Sequence, residues 1–529
     1  MYSNLYSNLP EEKYARKIRR SHLKNLAQFF TPISIASFMA SWVISNRKNI
    51  KILDPAIGLG VFIRAAFQLE NTLNFVGYDI DSSILNEAES LLLTNKINIK
   101  LENKDYLFND WENKYDGIIC NPPYLKFQQF KNRADVLIEF KEKLDLEISG
   151  FSNIYTLFLI KSLSQLNSGG KLAYLIPSEF LNSDYGKIIK ELILNQKMLR
   201  YVIIFDFQEK VFNDAITTSS IFLFANDKHN QTIEFINIKS PDEVKLLTSK
   251  LSKYPNSQII GKKIEYSEIK PEKKWRIYYQ EIVANSYKNL VPFSNYGKVV
   301  RGIATGANDY FTFDQQKQEK FKIPATNLLP CICKSNQVKS SIFTQKHFES
   351  LVNRGDKVYL FKGENGENEA VKSYLELGEK LAIDKKYLTK RRKPWYAVEK
   401  RQPAPIWVGV FNRSGLKFIR NETQIRNLTT FHCVYVNPET KIDLLFSYLL
   451  TDVAKGIFND NCREYGGGLK KFEPNDLNNG MMLNLDIIDD DREKEIIELY
   501  QAYRLSILQD KPDNLLLNQI NEIFEQYLR

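Results

Sequence analysis

The amino-acid sequence predicts an α/β fold with a predominantly parallel sheet, followed by a second, β-rich domain of α+β type. Three observations predict it. The chain has 529 residues, which is long enough for two or three domains. Up to about residue 227, short apolar runs alternate with helical patterns, as in βαβ units whose sheet is covered on both faces. From about residue 291, short segments with aromatic residues and turn glycines replace that alternation.

These patterns divide the chain into four parts. Residues 1–26 are predicted to form a basic helical extension, and residues 27–235 the α/β domain. Residues 236–290 are polar, lysine-rich and weakly periodic, which indicates a linker or an edge subdomain. Residues 291–529 are predicted to form the second domain, which ends in helical patterns.

The elements of the α/β domain follow from local signals. In "FFTPISIASFMASWVIS", Thr31 is the predicted N-cap of a helix and Pro32 its first residue. "IKILDPAIGLGVFIRAAFQL" and "NFVGYDIDSSILNEAESLLL" each predict a strand, a turn and a helix, and "IKLENKDYLF" and "YDGIIC" supply a third and a fourth strand. In "TLFLIKSLSQLNSGGKLAYLIPSEFL", Gly169 and Gly170 are predicted to end a helix before a strand. "YVIIFDF" and "SSIFLFAND" supply the last two strands.

Composition excludes several classes of protein. No run of about 18 apolar residues and no apolar signal core occur, so we expect a cytoplasmic protein with no membrane partner. The five cysteines and four histidines are dispersed, and only Cys331 and Cys333 are close in sequence. We therefore expect no zinc site or other metal, no catalysis by histidine, and free thiols. The net charge of +10 favours an anionic partner only weakly.

Acidic residues and an Asn-Pro-Pro-Tyr turn follow the predicted strands. Asp54 follows the first strand, Asp79 the second and Asp105 the third, and the turn at residues 121–124 follows the fourth. Parallel α/β sheets bind ligands outside the carboxyl ends of their strands. We therefore expect these residues to converge on one crevice.

The chemistry of these residues favours a cationic ligand that carries a ribose. Carboxylates would repel a pyrophosphate but accept hydrogen bonds from ribose hydroxyls and amino groups; S-adenosylmethionine has a sulfonium, an amino group and a ribose. Gly58 and Gly60 would let the ligand approach the backbone, although Gly-x-Gly alone is a weak signal. The alternative is that each aspartate is only a turn residue or a helix cap.

Three short motifs occur together: "NPPY" at 121–124, "DPAIGLG" at 54–60 and "FFTP" at 29–32. They resemble the catalytic tetrapeptide, the first cofactor loop and the segment closing over the methionine end of the cofactor in the gamma group of N6-adenine DNA methyltransferases. The order of the motifs, with a long region after them, matches the gamma arrangement. "EKVFNDAITTSSIFLF" and "REYGGGLKKFEPNDL" resemble later segments of that family. Ile57 departs from the small or polar residue expected inside the cofactor loop.

The resemblance implies a Rossmann-like, S-adenosylmethionine-dependent catalytic domain and a C-terminal target-recognition domain. It implies methyl transfer to the N6 amine of an adenine flipped out of double-stranded DNA, as by the modification enzyme of a restriction-modification system. The catalytic residues it implies are Asn121, Pro122, Pro123 and Tyr124, with Tyr124 and Phe212 stacking on the base. The cofactor-binding residues it implies are Thr31, Asp54, Ala56, Gly58, Gly60, Asp79, Ile80, Asp105, Tyr106, Asn121 and Pro123.

The turn has the chemistry that such a reaction needs. The lone pair of an exocyclic amine is conjugated with the ring, so the amine is a poor nucleophile. If Asn121 Oδ1 and the Pro122 carbonyl each accept one of its hydrogens, the nitrogen is pulled toward a tetrahedral geometry and its lone pair is aimed at the sulfonium methyl. Two prolines fix the backbone and leave no competing N–H. Tyr124 can stack on the base; Phe207 lies near Phe212 in sequence, and for Phe207 we favour a core role.

Two basic runs suggest contacts with DNA. Residues 385–401 hold eight basic side chains against one acidic, with aromatic residues interleaved, and residues 13–24 carry six more. The alternative is a solvated face, which is less expected for 385–401 because of its tryptophan and tyrosines. Phosphate contacts would give affinity and base contacts would specify the site. The candidates for DNA contacts are Lys390, Arg391, Arg392, Lys393, Trp395, Tyr396, Arg463, Gly467 and Lys470.

Other functions share the same turn. Enzymes that methylate the N4 amine of cytosine, an RNA base or a protein glutamine use the same amide chemistry, so the catalytic domain alone leaves them open. The basic and aromatic second half favours duplex DNA, and the order of the motifs favours adenine. The intact Asp79, Asp105 and turn argue against a non-catalytic DNA-binding subunit.

The expected partners follow from this interpretation. "PDEVK" at 241–245 lacks the spacing of a nuclease site, so we predict no cleavage by this chain. A separate cognate restriction endonuclease is a candidate partner, and an orphan enzyme without one is equally compatible with these residues. We expect a monomer that acts on double-stranded DNA in the prokaryotic cytoplasm, at the nucleoid.

Overall fold

The computed structural model forms two compact units, Met1–Glu281 with Tyr465–Gly468, and Ile282–Glu464 with Leu469–Arg529. It describes residues 5–45, 47–125, 130, 132–147, 153–183, 185–205, 219–228, 232–240, 242–255, 258–364, 368–412, 415–465 and 469–529. Within those ranges, no helix has both the length and the apolar character needed to cross a bilayer. The same described residues contain no group of three His, Cys, Asp or Glu side chains placed to hold a metal ion.

Nine strands of the first unit form one sheet. They are β1 (Lys51–Asp54), β2 (Asn74–Asp79), β3 (Ile99–Asn103), β4 (Tyr115–Cys120), β5 (Leu166–Pro177), β6 (Leu199–Phe205), β7 (Ser219–Ala225), β8 (Thr232–Ile238) and β9 (Lys262–Glu265). Their order across the sheet is β3-β2-β1-β4-β5-β7-β6-β8-β9. The first five pair in parallel, β7 lies antiparallel between β5 and β6, and β9 is an antiparallel edge. The predicted α/β fold with a predominantly parallel sheet is confirmed.

Helices cover both faces of this sheet. They are α1 (Leu9–Lys17), α2 (Arg20–Asn25), α3 (Ile33–Ile44), α4 (Val61–Leu69), α5 (Ser82–Thr94), α6 (Arg133–Leu144), α7 (Ile154–Ser164), α8 (Gly186–Gln196), α9 (Asp242–Leu251) and α10 (Arg276–Tyr279). Successive strand residues point to opposite faces. Ile52 therefore joins an apolar cluster with Val43 of α3, and Leu53 joins a second cluster with Leu157 of α7.

Helix α3 begins at Ile33, one residue later than predicted. Pro32 is its N-cap residue, with an extended backbone (φ −57°, ψ 140°), so the prediction that Thr31 is the cap was wrong. The Thr31 side chain is buried, and its hydroxyl accepts a hydrogen bond from Asn121 Nδ2. A partner ninety residues away thus occupies the hydroxyl, and the local sequence gives no sign of it.

Gly169 and Gly170 do not end α7, so that prediction was also wrong. The helix ends at Ser164, and both glycines lie within β5. The Gly169 N–H donates to the Asn226 carbonyl, and the Asn226 N–H donates to the Gly170 carbonyl. Gly169 has a φ of +74°, which glycine adopts easily. The two glycines therefore form the irregular beginning of β5, which pairs with the residue after β7, and they are not a helix cap.

Two more strands follow β7, although the sequence predicted none. β8 pairs in parallel with β6, and β9 pairs with β8. The boundary predicted at residue 235 falls within β8. Only one of the four residues of β9 is buried, so β9 gives no periodic signal. β8 has buried apolar residues such as Phe235, but the polar, lysine-rich sequence that follows it obscures the pattern. Trp275 packs against Phe235 and helps to cover this end of the sheet.

The second unit combines small sheets with helices. Its strands are β10 (Leu290–Pro292), β11 (Gly297–Arg301), β12 (Thr312–Phe313), β13 (Leu328–Ile332), β14 (Ile342–Phe343), β15 (Tyr359–Phe361), β16 (Ile406–Gly409), β17 (Phe411–Asn412), β18 (Phe418–Asn421), β19 (Arg426–Asn427), β20 (Phe431–Val436), β21 (Arg463–Tyr465), β22 (Leu469–Lys471) and β23 (Met481–Leu483). They form the sheets β11-β20-β16-β18-β14, β12-β15-β13-β19, β17-β22-β21 and β10-β23. The predicted α+β character is confirmed.

Helices of the second unit are concentrated near its end. They are α11 (Asn308–Phe311), α12 (Gln315–Phe321), α13 (Gln345–Asn353), α14 (Glu369–Lys380), α15 (Ile442–Leu450), α16 (Asp452–Asn459), α17 (Pro474–Asn478), α18 (Asp490–Leu508) and α19 (Asn514–Leu528). Thr451 separates α15 from α16 and caps the latter, because its hydroxyl accepts from the Ala454 N–H (3.2 Å). Residues of α15, α16, α18 and α19 share one apolar core.

Candidate active site

The loop after β1 folds tightly against β2. Gly58 and Gly60 have φ values of +52° and +73°, which glycine adopts with little strain. The Gly58 N–H donates to Asp79 Oδ2 (3.0 Å). Ile57 lies over Gly77, where an added Cβ would be 2.4 Å from Ile57 Cδ1. The unusual isoleucine of this loop is therefore accommodated by a glycine on the neighbouring strand.

A cavity lies at the carboxyl ends of β1, β2 and β4. Its wall includes most of the residues that were predicted to bind a cofactor. These are Thr31, Ala56, Gly58, Asp79, Ile80, Asp105, Tyr106, Asn121 and Pro123. Phe29, Phe30 and Phe158 add apolar surface. Loops that are far apart in sequence are thus brought together, as expected for a parallel sheet.

Asp79 is fixed by two backbone N–H groups. Its Oδ2 accepts from Gly58 and its Oδ1 from Asp81, both at 3.0 Å. Burial raises the pKa of Asp79, and these hydrogen bonds oppose the rise. Each carboxylate oxygen still has a lone pair for a hydroxyl of a ligand.

Asp54 is fully buried and is absent from the wall of the cavity. Its Oδ1 accepts from the Ala56 N–H (3.2 Å), and its Oδ2 has no hydrogen-bond partner among the described residues. Burial raises the pKa of Asp54 well above its usual range, and the charge of Asp79 adds to the rise. The expected convergence on one cavity is therefore observed for Asp79 and Asp105, whereas Asp54 shapes the loop from behind.

Asp105 and Tyr106 form the third side of the cavity. Asp105 Oδ1 accepts from the Leu107 N–H (3.0 Å), and burial raises the Asp105 pKa. The Tyr106 hydroxyl is hydrogen-bonded to Ser162 (2.9 Å). Behind it, the buried Lys161 ammonium donates to the Tyr106 carbonyl, and burial lowers the pKa of Lys161 to about 7. This turn is thus held rigidly by α7.

Asn121 follows β4 with its amide held in one orientation. Its Nδ2 donates to the Phe29 carbonyl (2.9 Å) and to Thr31 Oγ1 (3.0 Å). Because a backbone carbonyl can only accept, the amide nitrogen must face it, and Oδ1 points the other way. No described residue donates a hydrogen bond to Oδ1. A free acceptor of fixed direction therefore remains at the cavity.

Tyr124 is also fixed. Its hydroxyl donates to the Leu175 carbonyl (3.0 Å), and burial raises its pKa. Its ring stacks on Phe29 with centroids 5.7 Å apart and an interplanar angle of 29°. Tyr155 packs against it edge to face, with the ring centroids 6.1 Å apart. The ring therefore has a set position beside Asn121.

The basic run at 385–401 divides into two groups. The Arg392 guanidinium donates to the Ala304 and Thr305 carbonyls, and Trp395 packs on Tyr310 with ring centroids 5.8 Å apart. Tyr396 lies against Gly363, where an added Cβ would be 2.4 Å from its ring. The remaining candidates of the run are exposed: Lys390, Arg391 and Lys393.

Other predicted residues have different placements. Arg463 pairs with the buried Asp476 (3.3 Å), and Lys470 lies opposite Asn412 in the β17–β22 pair. Phe207, Phe212 and Gly467 lie outside the described residues.

Sequence reasoning missed several residues at the site. The Phe29 carbonyl orients Asn121, and His22 and Gln28 both bind Asp81. Each of these contacts joins residues more than fifty positions apart, so no local signal could reveal them. The "FFTP" motif indicated that this segment reaches the site, but its contact with the amide was not predicted.

Comparison with known proteins defines the class. Residues 59–212 match the family model of the Eco57I restriction-modification methylase, and residues 273–517 match that of the type II methyltransferase M.Eco57I, C-terminal domain. The type IIL restriction-modification enzyme MmeI, solved in complex with DNA, has a similar fold, with a TM-score of 0.61 and 11% identity over 99% of this chain and 78% of that chain. The likeness to MmeI shows the fold, and the two family matches indicate a methyltransferase of restriction-modification type.

Individual relatives narrow the class. The type II methyltransferase M.AccI of Acinetobacter calcoaceticus is 47% identical over 525 residues, which cover 98% of this chain and 97% of the relative. M.HincII of Haemophilus influenzae is 28% identical over 221 residues, or 42% and 41% of the two chains. The chain belongs to the type II DNA methyltransferases of restriction-modification systems.

Proposed function

We propose that this enzyme transfers a methyl group from S-adenosylmethionine to the N6 amine of an adenine flipped out of double-stranded DNA. The observation that carries the proposal is the orientation of Asn121, whose Nδ2 donates two hydrogen bonds and whose Oδ1 accepts none from any residue that the structure describes. An amine with two hydrogens fits between this oxygen and the Pro122 carbonyl. The Asn121 amide is fixed in advance, which is the condition for efficient electrostatic catalysis, and we assign the Pro122 carbonyl as the second acceptor.

The cavity wall fits S-adenosylmethionine. When bound, this cofactor supplies an electrophilic methyl group on a sulfonium. Asp79, with a lone pair left on each oxygen, suits the ribose hydroxyls, and the Ile80 side chain, 57% exposed, offers apolar surface to an adenine ring. Asp105 provides a further acceptor at the wall. Thr31 contributes through Asn121, so its role is wider than cofactor binding.

The chain's own groups can orient and activate the target amine. Accepting both amine hydrogens localises the lone pair on nitrogen and directs it toward the reacting carbon. No general base has to act first, because the methylated amine is cationic and acidic enough to lose its proton afterwards. The Asn121 amide keeps its position throughout, since its nitrogen stays bonded to Phe29 and Thr31.

A base inside a duplex cannot reach this cavity, so the target nucleotide must be flipped out. We assign Tyr124 to one face of the flipped base. In the structure its ring faces Phe29, so we expect the base to contact the ring face or edge that Phe29 leaves open. Phe212 is the candidate for the opposite face.

Adenine is our first choice for the base, and N4 of cytosine is the alternative. The order of the motifs, FFTP before the cofactor loop before Asn-Pro-Pro-Tyr, supports adenine. An RNA base or a protein glutamine would use the same amide chemistry, but the relatives named above are DNA methyltransferases. We further propose that the enzyme acts as a monomer at the bacterial nucleoid, in the cytoplasm, beside a separate cognate endonuclease.

A labelling experiment tests the proposal. The purified chain is incubated with methyl-tritiated S-adenosylmethionine and an unmethylated plasmid, and the DNA is digested to nucleosides and separated. Label is expected in N6-methyl-2′-deoxyadenosine from the DNA, and sequencing of the modified DNA gives the recognition site. Label in N4-methylcytosine would replace the base assignment. Label in RNA or protein but never in duplex DNA would overturn the proposal.

A further inference from the structure

The N-terminal helical pair, α1 with α2, packs on both loops of the proposed cofactor site. It precedes the first strand, and the sequence indicated only a basic extension there. Three separate sets of contacts attach it to the rest of the first unit. They are an apolar cluster, a buried ion pair, and two hydrogen bonds to Asp81, one from α2 and one from Gln28, which follows α2.

The apolar cluster joins the pair to the loops. Tyr14 of α1 is 4% exposed and packs with Leu59 and Ile84. Leu59 belongs to the loop after β1, and Ile84 lies in the first turn of α5, directly after the loop that carries Asp79. Phe30 meets Tyr14 edge to face, with centroids 6.0 Å apart. One small core thus touches both ligand loops.

A buried ion pair secures α1. Arg64 of α4 is fully buried, and its guanidinium donates to the Glu11 carboxylate and to the Leu5 and Ser7 carbonyls. Helix α4 begins directly after Gly60, so this contact ties α1 to the end of the first loop. Breaking a buried pair by removing one partner is strongly destabilising. Arg64 therefore holds α1 against α4. A substitution of Arg64 would destabilise the fold, so it would not separate positioning of the cofactor site from stability.

Asp81 links the pair to the ligand-facing carboxylate. His22 Nε2 and Gln28 Nε2 each lie 2.8 Å from Asp81 Oδ2, while Asp81 Oδ1 accepts from the Ser83 N–H (3.1 Å). Burial alone would raise the pKa of Asp81, but hydrogen bonds from Ser83, His22 and Gln28 hold it at about 2. The Asp81 N–H in turn donates to Asp79 Oδ1. His22 and Gln28 therefore act on Asp79 through one intervening residue.

We propose that the N-terminal helical pair is a positioning element of the cofactor site, with His22 and Gln28 as the positioning residues that hold the Asp79–Asp81 turn in its binding geometry. The inference rests on the proposed use of S-adenosylmethionine at this site. His22 is not among the residues that line the cavity, so its effect must pass through Asp81; Gln28 does line the cavity, and its amide nitrogen donates to Asp81. Their removal should therefore affect cofactor affinity far more than the chemical step.

The test compares a double variant with a matched control. His22→Ala/Gln28→Ala should raise the Kd for S-adenosylmethionine, measured by equilibrium dialysis without DNA, by about tenfold, which is the loss of about one net charge-assisted hydrogen bond. The KM for the cofactor should rise in parallel, while kcat at saturating cofactor and the KM for DNA change less than about twofold. The control is Glu87→Gln, which removes the exposed ion pair between Glu87 of α5 and Lys17 of α1 without touching Asp81 or the basic run. It should leave all four values unchanged.

A conservative variant separates positioning from general stability. His22→Gln keeps a donor that can reach Asp81 and should recover most of the affinity lost in His22→Ala. An unchanged Kd in the double variant would overturn the inference. So would an equal loss of kcat and of both affinities, which indicates a merely structural role. If the wild-type chain binds no S-adenosylmethionine at all, the proposed function fails and this inference fails with it; if wild type binds and methylates normally while the variants match it, only this inference fails.

Discussion

The turn at 121–124 and the basic run at 385–401 both stand out in the sequence, but the fold uses them differently. In the turn, the Asn121 amide nitrogen and the Tyr124 hydroxyl each donate a hydrogen bond to a backbone carbonyl, and neither group is needed for the proposed chemistry. The amide oxygen of Asn121 and the ring of Tyr124 remain at the site. The fold thus leaves the groups proposed to act on the base at the site and uses the remaining polar groups of the same side chains to hold them in place.

In the basic run the division falls between residues. Arg392 and Trp395 are committed to the interior contacts of the second unit, while Lys390 and Lys393 are exposed. The comparison teaches that a motif defined by geometry predicts where its side chains lie more reliably than a run defined by composition. Two prolines after an asparagine leave few conformations, whereas a guanidinium is satisfied equally well by backbone carbonyls and by a phosphate.

Removal of the Asn121 amide is the strongest test of the catalytic side of this comparison. Asn121→Ala should lower kcat by at least about 10²–10³-fold, as for the loss of a preorganised oxyanion-type contact. Binding of S-adenosylmethionine should change less than about threefold. Asn121→Asp is the matched variant: it keeps the shape but places carboxylate oxygens against the Phe29 carbonyl, so it should be similarly inactive. Retention of a tenth of the wild-type kcat in Asn121→Ala would contradict this role.

Neighbouring arginines test the division within the basic run. Arg392→Ala should lower the free energy of unfolding by about 2 kcal/mol, because hydrogen bonds from a charged donor to the Ala304 and Thr305 carbonyls are lost. Arg391→Ala removes a guanidinium that lies over the exposed Tyr387 ring (3.9 Å) and should change stability by less than about 0.5 kcal/mol. Urea denaturation measures both values. Equal stability of the two variants would remove the distinction.

The hydrogen bond between Asn121 and Thr31 tests how strictly the amide must be held. Thr31→Val keeps the shape of the side chain but removes the Oγ1 acceptor of Asn121 Nδ2, so kcat should fall about five- to tenfold. The KM for S-adenosylmethionine should change less than twofold, and Thr31→Ser should retain the wild-type kcat. A raised cofactor KM with unchanged kcat would instead assign Thr31 to cofactor binding alone.

Exposed lysines of the basic run should give the smallest effects. Lys390→Gln and Lys393→Gln should each weaken binding to a duplex a few-fold and reduce the slope of log affinity against log salt by about one. Lys372→Gln, an exposed lysine on α14 outside the run, is the control. Fluorescence anisotropy at several salt concentrations measures the slopes. If all three variants behave alike, the basic run has no special part in DNA binding.

Most of the first unit could be predicted from the sequence. β1 to β7, the helices α3, α4, α5 and α7, and the position of Asn-Pro-Pro-Tyr after β4 follow from apolar periodicity and from the placement of glycine and proline, whereas α6 and α8 were not predicted. The errors at Thr31 and at Gly169 have one cause, because each residue bonds a partner from another part of the chain. β9 escaped prediction because only one of its four residues is buried, and β8 because polar, lysine-rich sequence follows its apolar residues.

The sequence by itself determined the sheet, the turn at its edge and the family resemblance, because these depend on local backbone preferences and on neighbouring residues. Only the tertiary structure decided which way the Asn121 amide faces, that Asp54 is withdrawn from the cavity, and that the half-buried Arg392 bonds to backbone carbonyls of its own unit. The physical reason is the same in each case. A polar side chain takes the partner that folding brings to it, and here that partner lies fifty or more residues away or behind a buried loop.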